Sequence, residues 1–506
     1  MSREILNIAH RMSEAAQRRP DATAIIAAVK GGTFAKVTFR ELDERSSALA
    51  AGLVKSGIGR GVRTLVMVRA GIELITVTFA LFKAGAVPVL IDPGMGLGAF
   101  LRCVKKTKPE AFIGISLANA IRVIFSGAFK TVKTSVTVGK RWFWGGPTLD
   151  SLMAGNTPGP IAETTADETA AVLFTSGSTG PAKGVTYTHG MFAAQVEALR
   201  KTYGFAPGEI DVAAFPLFSL FDCALEMTSV IPEIDPSHPG RCDPAKIVQA
   251  IVENNATTAF GSPAIWRRVA PWCVANNVKL PLLKRILIAG ASVPPSLVEL
   301  LHKSLPPDGD VQTPYGATES LPVANIFGRE IVATAAQQSN KGSGTCVGRP
   351  VDGTQVRIIK ISDEPIASWS DSLTVPAGEV GEICAKGAVV THEYSGDPDA
   401  TALAKIKDGD GVWHRIGDLG RVDEQGRLWF CGRKSERVRT QGGTLFTDCV
   451  EGSYQGHPKS PRVALVGVGE PGQQRPVLIV EGPKDTTLAA ELRKMGQVQD
   501  LSLIHI

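Results

Sequence analysis

Apolar and polar positions along the chain fall into short blocks of two periods. Across residues 3–17 the apolar side chains Ile5, Ile8, Ala9, Met12, Ala15 and Ala16 recur at helical spacing, which sets one face of a helix against a core. Residues 23–29 form a nearly unbroken apolar run and read as a strand. Val37, Thr38 and Phe39 open a second strand that leads into an amphipathic helix over 41–56, with Thr38 near its N-cap. The alternation continues with strand 64–68, helix 71–84, strand 86–91 ending at Asp92-Pro93, and strands at 112–115 and 132–138. Strands that alternate with helices build parallel sheets in layered α/β subdomains.

Farther on, 170–174 reads as a buried strand, 189–203 as a helix and 211–221 as a strand closing on the text PLFSLFD. Helices are expected over 223–230 and near 244–254, and strands over 257–261 and 284–289. The last of these breaks at Gly290, after which Ser292 and Pro294 open a further helix. Beyond 347–350 helical spacing thins out. Short strands at 356–361, 381–385, 421–422 and 428–430 alternate with turns, so 345–430 is expected to be a small β-rich subdomain beside the layered α/β part.

Composition narrows the function classes. With 506 residues, 44% hydrophobic and 20% charged, the chain can bury several cores, as an ordinary globular protein does. A formal charge of +5 over that length does not point to nucleic acid. Its eight cysteines include no C-x-x-C pair and read as small core residues of a reducing compartment. The first twenty residues mix acids and bases, unlike a secretion signal, and the most apolar region, 71–92, is broken by Glu73, Lys83 and Pro88. It falls short of the roughly 20 apolar residues of a membrane span, and a cytoplasmic location is expected. Lys130, Lys133, Lys140 and Arg141 run into Trp142, Phe143 and Trp144. This cluster is either a docking patch for a membrane surface or partner, or a basic edge strand followed by a packed loop, and the second is the expectation.

Candidate chemistry begins at residues 173–184, LFTSGSTGPAKG, where Gly177, Gly180 and Gly184, the hydroxyls of Thr175, Ser176, Ser178 and Thr179, and the cation Lys183 are gathered. Glycines let successive N–H groups converge on an anion, and hydroxyls and a lysine complete a polyphosphate cradle. Lys183 lies between Ala182 and Gly184, which excludes a Walker A loop, and the spacing is not that of a G-x-G-x-x-G dinucleotide turn. A second text, YGATE (Tyr315, Gly316, Ala317, Thr318, Glu319), follows Val311 and Gln312 at an expected strand end, where layered α/β folds collect ligands.

Together these texts resemble the signature of the adenylate-forming superfamily of acyl-CoA synthetases, peptide-synthetase adenylation domains and luciferases. The resemblance implies ATP-dependent activation of a carboxylate as an acyl-AMP. It implies that Thr175–Gly180 and Lys183 hold the phosphates, that Gly290, Ala291 and Ser292 face adenine, and that Tyr315 stacks on it beside Gly316 and Ala317. Thr318 would contact phosphate and Glu319 would hold Mg2+. HRIGD, ending at Asp418, matches the segment that binds the ribose hydroxyls, and Gly432, Arg433, Lys434 and Ser435 match the hinge, with Arg433 on ribose or phosphate and Ser435 at the pivot. Residues 379–401 resemble a scaffold strand and its Tyr-x-x-Asp-Pro turn.

The implied organisation is an N-terminal adenylate-forming domain over 1–434 and a mobile α+β C-terminal lid over 435–506. That lid is shorter than is usual and shows no Ser/Gly-rich lysine motif after Gly482, so it is expected to be truncated, without the adenylation lysine. Within the superfamily, PLFSLFD and its neighbours are most similar to the enzymes that form β-lactones in bacterial long-chain olefin biosynthesis. That similarity implies a long-chain 2-alkyl-3-hydroxy acid substrate, other enzymes of the same pathway as partners, and attack by the substrate's own β-hydroxyl, with Asp222 as candidate acceptor of its proton. A fatty or hydroxy acid CoA ligase and an inactive nucleotide-binding scaffold are the alternatives.

Overall fold

Thr38 shows how single residues set the element boundaries. Its Oγ1 accepts from the Glu41 N–H at 3.1 Å while the Glu41 carboxylate accepts from the Thr38 N–H at 2.8 Å. This reciprocal cap starts the helix Phe39–Lys55 directly where the strand Thr33–Thr38 ends. The computed structural model describes residues 5–29, 31–154, 156–174, 181–455, 457, 462–483 and 485–498. They divide into two compact units, one made of Met1–Ala291, Leu300–Asp310 and Ala388–Thr401, the other of Ser292–Glu299, Val311–Gly387 and Ala402–Ile506.

The first unit carries twelve strands: β1 Thr23–Val29, β2 Thr33–Thr38, β3 Arg63–Met67, β4 Val87–Leu90, β5 Ala111–Ile115, β6 Thr134–Val138, β7 Thr169–Phe174, β8 Gly184–Thr188, β9 Ile210–Ala213, β10 Thr228–Ile231, β11 Thr258–Gly261 and β12 Arg285–Ile288. They form two layers with the orders β6-β5-β3-β4-β7-β8 and β12-β11-β9-β10-β1-β2. Pairing is parallel except at the outer pairs β7–β8 and β1–β2. Parallel strands buried on both faces read as continuous apolar runs, which is why their positions were legible.

The helix Ile72–Lys83 is buried from Leu74 to its end. Ile75, Phe79 and Phe82 enter one hydrophobic core and Leu74, Val77, Ala80 and Leu81 another. The most apolar stretch of the sequence thus serves two cores of one protein, and among the described residues no helix is long and apolar enough to cross a membrane. Lys83 ends this helix 2% exposed, its Nζ bonded to Asp43 Oδ1 at 2.6 Å, the Asp43 carbonyl at 2.9 Å and Ser47 Oγ at 2.7 Å. A buried ammonium needs all three.

Two expectations change here. Residues 223–230 are not one helix: a short helix Ser219–Ala224 ends in a turn at Glu226, φ +64°, and Thr228–Ile231 becomes β10 between β9 and β1. β-branched Thr228, Val230 and Ile231 suit that pleated, doubly covered slot better than a helix. Likewise 211–221 is a strand only to Ala213, after which the 3-10 turn Pro216–Phe218 redirects the chain.

The second unit is built on β13 Asp310–Ala317, β14 Ser320–Phe327, β15 Thr345–Pro350, β16 Thr354–Ile359, β17 Gly381–Gly387, β18 Lys405–Asp408, β19 Gly411–Val422 and β20 Leu428–Arg433. Their order is β16-β17-β19-β20-β15-β14-β13, with β18 added on β19, and the pairings are antiparallel. The expected β-rich region is therefore present and begins earlier than 345. After Arg433 come two small hairpins, Val438–Thr440 with Gly443–Leu445 and Val463–Val468 with Arg475–Val480, packed with the helices Thr447–Gln455 and Thr486–Val498 around Val438, Val450, Tyr454, Leu465, Leu478 and Leu492.

Candidate active site

YGATE does not lie beyond a strand end at Gln312, because the strand runs on into it. Tyr315, Gly316 and Ala317 are the last residues of β13, and Thr318 and Glu319 form the tight connection to β14, both half-buried. The hairpin turns the tyrosine across the sheet. Its hydroxyl donates to Asp418 Oδ2 at 2.7 Å, and Arg433 Nη1 donates to Asp418 Oδ1 at 2.7 Å. Asp418 on β19 and Arg433 on β20 are direct cross-strand partners. Three residues from three separate motifs thus meet on one carboxylate.

Asp418 is 3% exposed, and burial raises its pKa, opposed by the Arg433 charge and the Tyr315 hydrogen bond. The Tyr315 phenol is pushed well above its ordinary value by burial and by the adjacent carboxylate, so it donates rather than ionises. A carboxylate has about four lone-pair sites, and with one donor on each oxygen Asp418 keeps capacity for a vicinal diol. Gly432, next to Arg433, has φ +119°, and a Cβ there would lie 2.2 Å from Thr447 Oγ1. Only glycine fits that close approach.

Arg415, in the same HRIGD text, does something else. It is bidentate to the buried Glu382, Nε to Oε2 at 2.9 Å and Nη2 to Oε1 at 2.8 Å, and donates to the carbonyls of Glu364, Leu403 and Ser362. Lys434 Nζ joins the same carboxylate at 3.3 Å. This buried network ties β17, β19 and the segment after β20 together, and Ser435 lies exposed immediately beyond it in the turn Lys434–Glu436.

Lys405 escaped the sequence reading. It stands on β18 opposite His414, and burial pushes its ammonium down to about 7 against the pull of the Glu319 charge. A lysine among ordinary β-strand residues carries no sequence signal, and only the fold reveals its burial. Among the described residues no group of three or more His, Cys, Asp or Glu could hold a metal ion by itself. Mg2+ can also be held by one carboxylate with substrate phosphates and water completing its shell, a mode that needs no such group.

In the first unit, Thr175, Ser176, Gly177, Ser178, Thr179 and Gly180 lie outside the described residues. Lys183 is half-buried, its Nζ 5.0 Å from the centre of the Tyr394 ring. The residues around Tyr394 run antiparallel to β8: Thr186 N–H donates to the Glu393 carbonyl at 3.3 Å and Ser395 N–H to the Gly184 carbonyl at 2.7 Å. Lys106 pairs with Asp397. The Tyr-x-x-Asp-Pro turn, expected as scaffold, is thus the strap that holds the lysine's end of the loop. Gly290 and Ala291 are exposed at the carboxyl end of β12, Gly290 with φ +97°, while Ser292 belongs to the second unit.

β9 has β10 on one side and β11 on the other, so the chain reverses its order of travel there, and crevices of open α/β sheets lie at such points beyond the carboxyl ends. Phe215 follows β9 half exposed, Phe218 stacks on Phe260 with centroids 4.3 Å apart, and Gly261, Ala289 and Gly290 complete that edge. Asp222, in contrast, points inward. It is 0% exposed, accepts from Ser229 Oγ at 2.6 Å and neighbours the equally buried Asp211; Ser229 Oγ in turn lies 2.8 Å from Ser219 Oγ, from which it can accept. Burial raises both carboxyls, Asp211 to about 7. Asp222 is neither a solvated helix cap nor an available carboxylate, which argues against its taking a substrate proton.

A family model described as AMP-binding enzyme matches residues 12–395. The chain is 47% identical over 489 residues, 94% of its length and 88% of the relative's, to a Stenotrophomonas maltophilia protein named Olefin beta-lactone synthetase. It is 25% identical, over 93% of its length and 86% of the relative's, to a Long-chain-fatty-acid--CoA ligase of Thermus thermophilus. Its fold is similar to that of the amide bond synthetase McbA from Marinactinospora thermotolerans, with a TM-score of 0.79 at 22% identity, covering 98% of this chain and 94% of that one.

Proposed function

The chain belongs to the AMP-binding enzyme family, and on that premise we propose that it is an AMP-forming ligase that converts a long-chain 2-alkyl-3-hydroxy acid and ATP into a β-lactone, AMP and pyrophosphate. The observation that carries the reading is the 47% identity, over 94% of the chain, to a relative named Olefin beta-lactone synthetase. In the first step a carboxylate oxygen bonds to the α-phosphorus of ATP as pyrophosphate leaves. In the second the β-hydroxyl oxygen bonds to the acyl carbon, the acyl–phosphate bond breaks with AMP as leaving group, and the hydroxyl proton is released.

Asp418 accepts from the ribose hydroxyls, oriented by Tyr315 and Arg433. Lys183, strapped beside Tyr394, neutralises the pyrophosphate half together with the hydroxyls of Thr175, Ser176, Ser178 and Thr179, and Thr318 donates to phosphate. Gly290, Ala291 and Ser292 offer adenine a surface without bulk. Glu319 would hold Mg2+, which when bound offsets phosphate charge, and Lys405 beside it keeps that carboxylate from standing uncompensated. A hydroxyl already on the activated acid needs no second encounter, a saving of up to about 7 to 11 kcal/mol in well-oriented systems. Phe215, Phe218 and Phe260 supply an apolar edge suited to alkyl chains.

The test is the product. A 2-alkyl-3-hydroxy acid with ATP and Mg2+ should give AMP, pyrophosphate and a compound lighter by one water, without CoA, whereas the acid lacking the hydroxyl should stop at bound adenylate. A strict CoA requirement with a thioester product would replace this reading by that of a CoA ligase. Nucleotide binding without pyrophosphate exchange on any acid would leave a scaffold.

A further inference from the structure

At the outer edge of the β6-β5-β3-β4-β7-β8 layer, the helix Ser116–Ile124 turns apolar side chains outward. Leu117, Ile121 and Ile124 follow one another at i, i+4 and i+7, one stripe of a helix, and Leu117 and Ile124 are 59% and 71% exposed. Its buried residues are Ala118 and Asn119, the latter bonded to the Gly114 carbonyl at 2.9 Å. A surface helix in water ordinarily has the opposite arrangement.

The loop after β6 continues this surface. Ser116 Oγ bonds to the Lys140 carbonyl, which fixes the start of the helix against the loop. Trp144 folds inward, 7% exposed, with Nε1 donating to Thr137 Oγ1 at 2.9 Å, whereas Trp142 and Phe143 stand 51% and 76% exposed. β6 is the edge strand of its sheet, but its own residues Thr134–Val138 are uncharged and the cations flank it; Trp144 is buried, and Trp142 and Phe143 lean on its ring with centroids 5.3 and 5.1 Å away while staying exposed.

Charge decides what such a surface would meet. Between Glu110 and Asp150 there is no acidic residue, and the stretch carries five cations. Arg122 is turned toward the Phe112 ring, 5.9 Å from its centre, and bonds to Asn119, while Lys130, Lys133, Lys140 and Arg141 are exposed. Aromatic and aliphatic side chains at the tip with lysine and arginine alongside is the pattern of a segment that lies in a membrane interface, and the single sign of charge is complementary to anionic headgroups.

We propose that this corner of the first unit, the outward stripe of the helix Ser116–Ile124 together with Lys140, Arg141, Trp142 and Phe143, docks the protein on an anionic lipid surface. Docking is peripheral: the aromatic tip enters the headgroup layer and the basic side chains stay at phosphate level.

Co-sedimentation with vesicles tests it, comparing phosphatidylcholine alone with phosphatidylcholine containing phosphatidylglycerol, at low and high salt. The wild-type chain should partition onto the anionic vesicles, hardly onto the neutral ones, and release as salt rises. Lys140→Glu with Arg141→Glu should weaken partitioning about 25-fold or more. Trp142→Ser with Phe143→Ser should weaken it about tenfold or more at unchanged charge. Both pairs are exposed, so thermal unfolding should stay at the wild-type temperature, which separates lost docking from lost folding. Absence of binding to anionic vesicles, or equal binding by wild type and both variants, overturns the proposal. So does a lipid-free dimer in sedimentation equilibrium that the aromatic variant abolishes, since the surface would then be a contact between copies of this chain.

Discussion

Asp418 illustrates how little of a site lies in any one motif. Its nearest polar partners come from residues 103 and 15 positions away, Tyr315 and Arg433, and each motif was recognisable while their meeting point was not. Spacing along a chain does not encode cross-strand register over such distances. Asp418→Ala should weaken ATP and AMP alike, about ten- to hundredfold for the loss of one hydrogen bond to a charged group of about 1.5 to 3 kcal/mol, and more if both ribose hydroxyls lose their partner. Calorimetry with 2′,3′-dideoxy analogues checks the assignment, because the mutation should change their affinity little. Lys183→Ala should impair ATP use and leave AMP binding nearly intact, since AMP lacks the β and γ phosphates. Equal losses would remove Lys183 from the pyrophosphate.

The Asp211–Asp222 pair makes a different prediction at this scale. Both carboxyls have raised pKa values in the folded protein, Asp211 to about 7 from 3.8, so the folded state holds protons that the unfolded state releases. Their contribution to stability is complete below about pH 4 and is lost as pH rises through about 7. Asp222→Asn should flatten that dependence, and urea unfolding at pH 5 and pH 8 reads it directly. A wild-type stability that rises over this interval by the same amount as the variant's would refute the protonated pair.

Among the elements, buried parallel strands such as β3, β4 and β5 were legible because both faces of each are covered and the apolar run is continuous. The helix Phe39–Lys55 was legible from its cap. The region after PLFSLFD was not, because the slot between β9 and β1 exists only once the sheet has formed, and it recruits Thr228–Ile231 from a stretch with helical spacing. The ion network of Glu382, Arg415 and Lys434 was equally hidden, although its residues lay inside quoted motifs. Glu382→Ala leaves a guanidinium that is 2% exposed without its partner, and the cost should be about 3 to 5 kcal/mol, measured by chemical unfolding. Replacing the surface acid Asp21, paired with Arg40 through side chains 86% and 54% exposed, should cost under about 1 kcal/mol.

On the scale of the whole molecule, pattern predicts the change from alternating helices and strands to strands and turns along the chain, but neither the sheet orders nor a division other than 1–434 and 435–506. What pattern did not reveal is that the first unit is assembled from three separated stretches, the last being Ala388–Thr401. That stretch brings Tyr394 to Lys183 and pairs with Gly184 and Thr186, a contact closed across some two hundred residues. During synthesis the strap leaves the ribosome long after both parallel layers have been made, and contacts of such sequence separation form late. A nascent chain arrested before residue 388 therefore lacks the segment that pairs with Gly184 and Thr186 and sets Tyr394 beside Lys183, however complete its parallel layers already are.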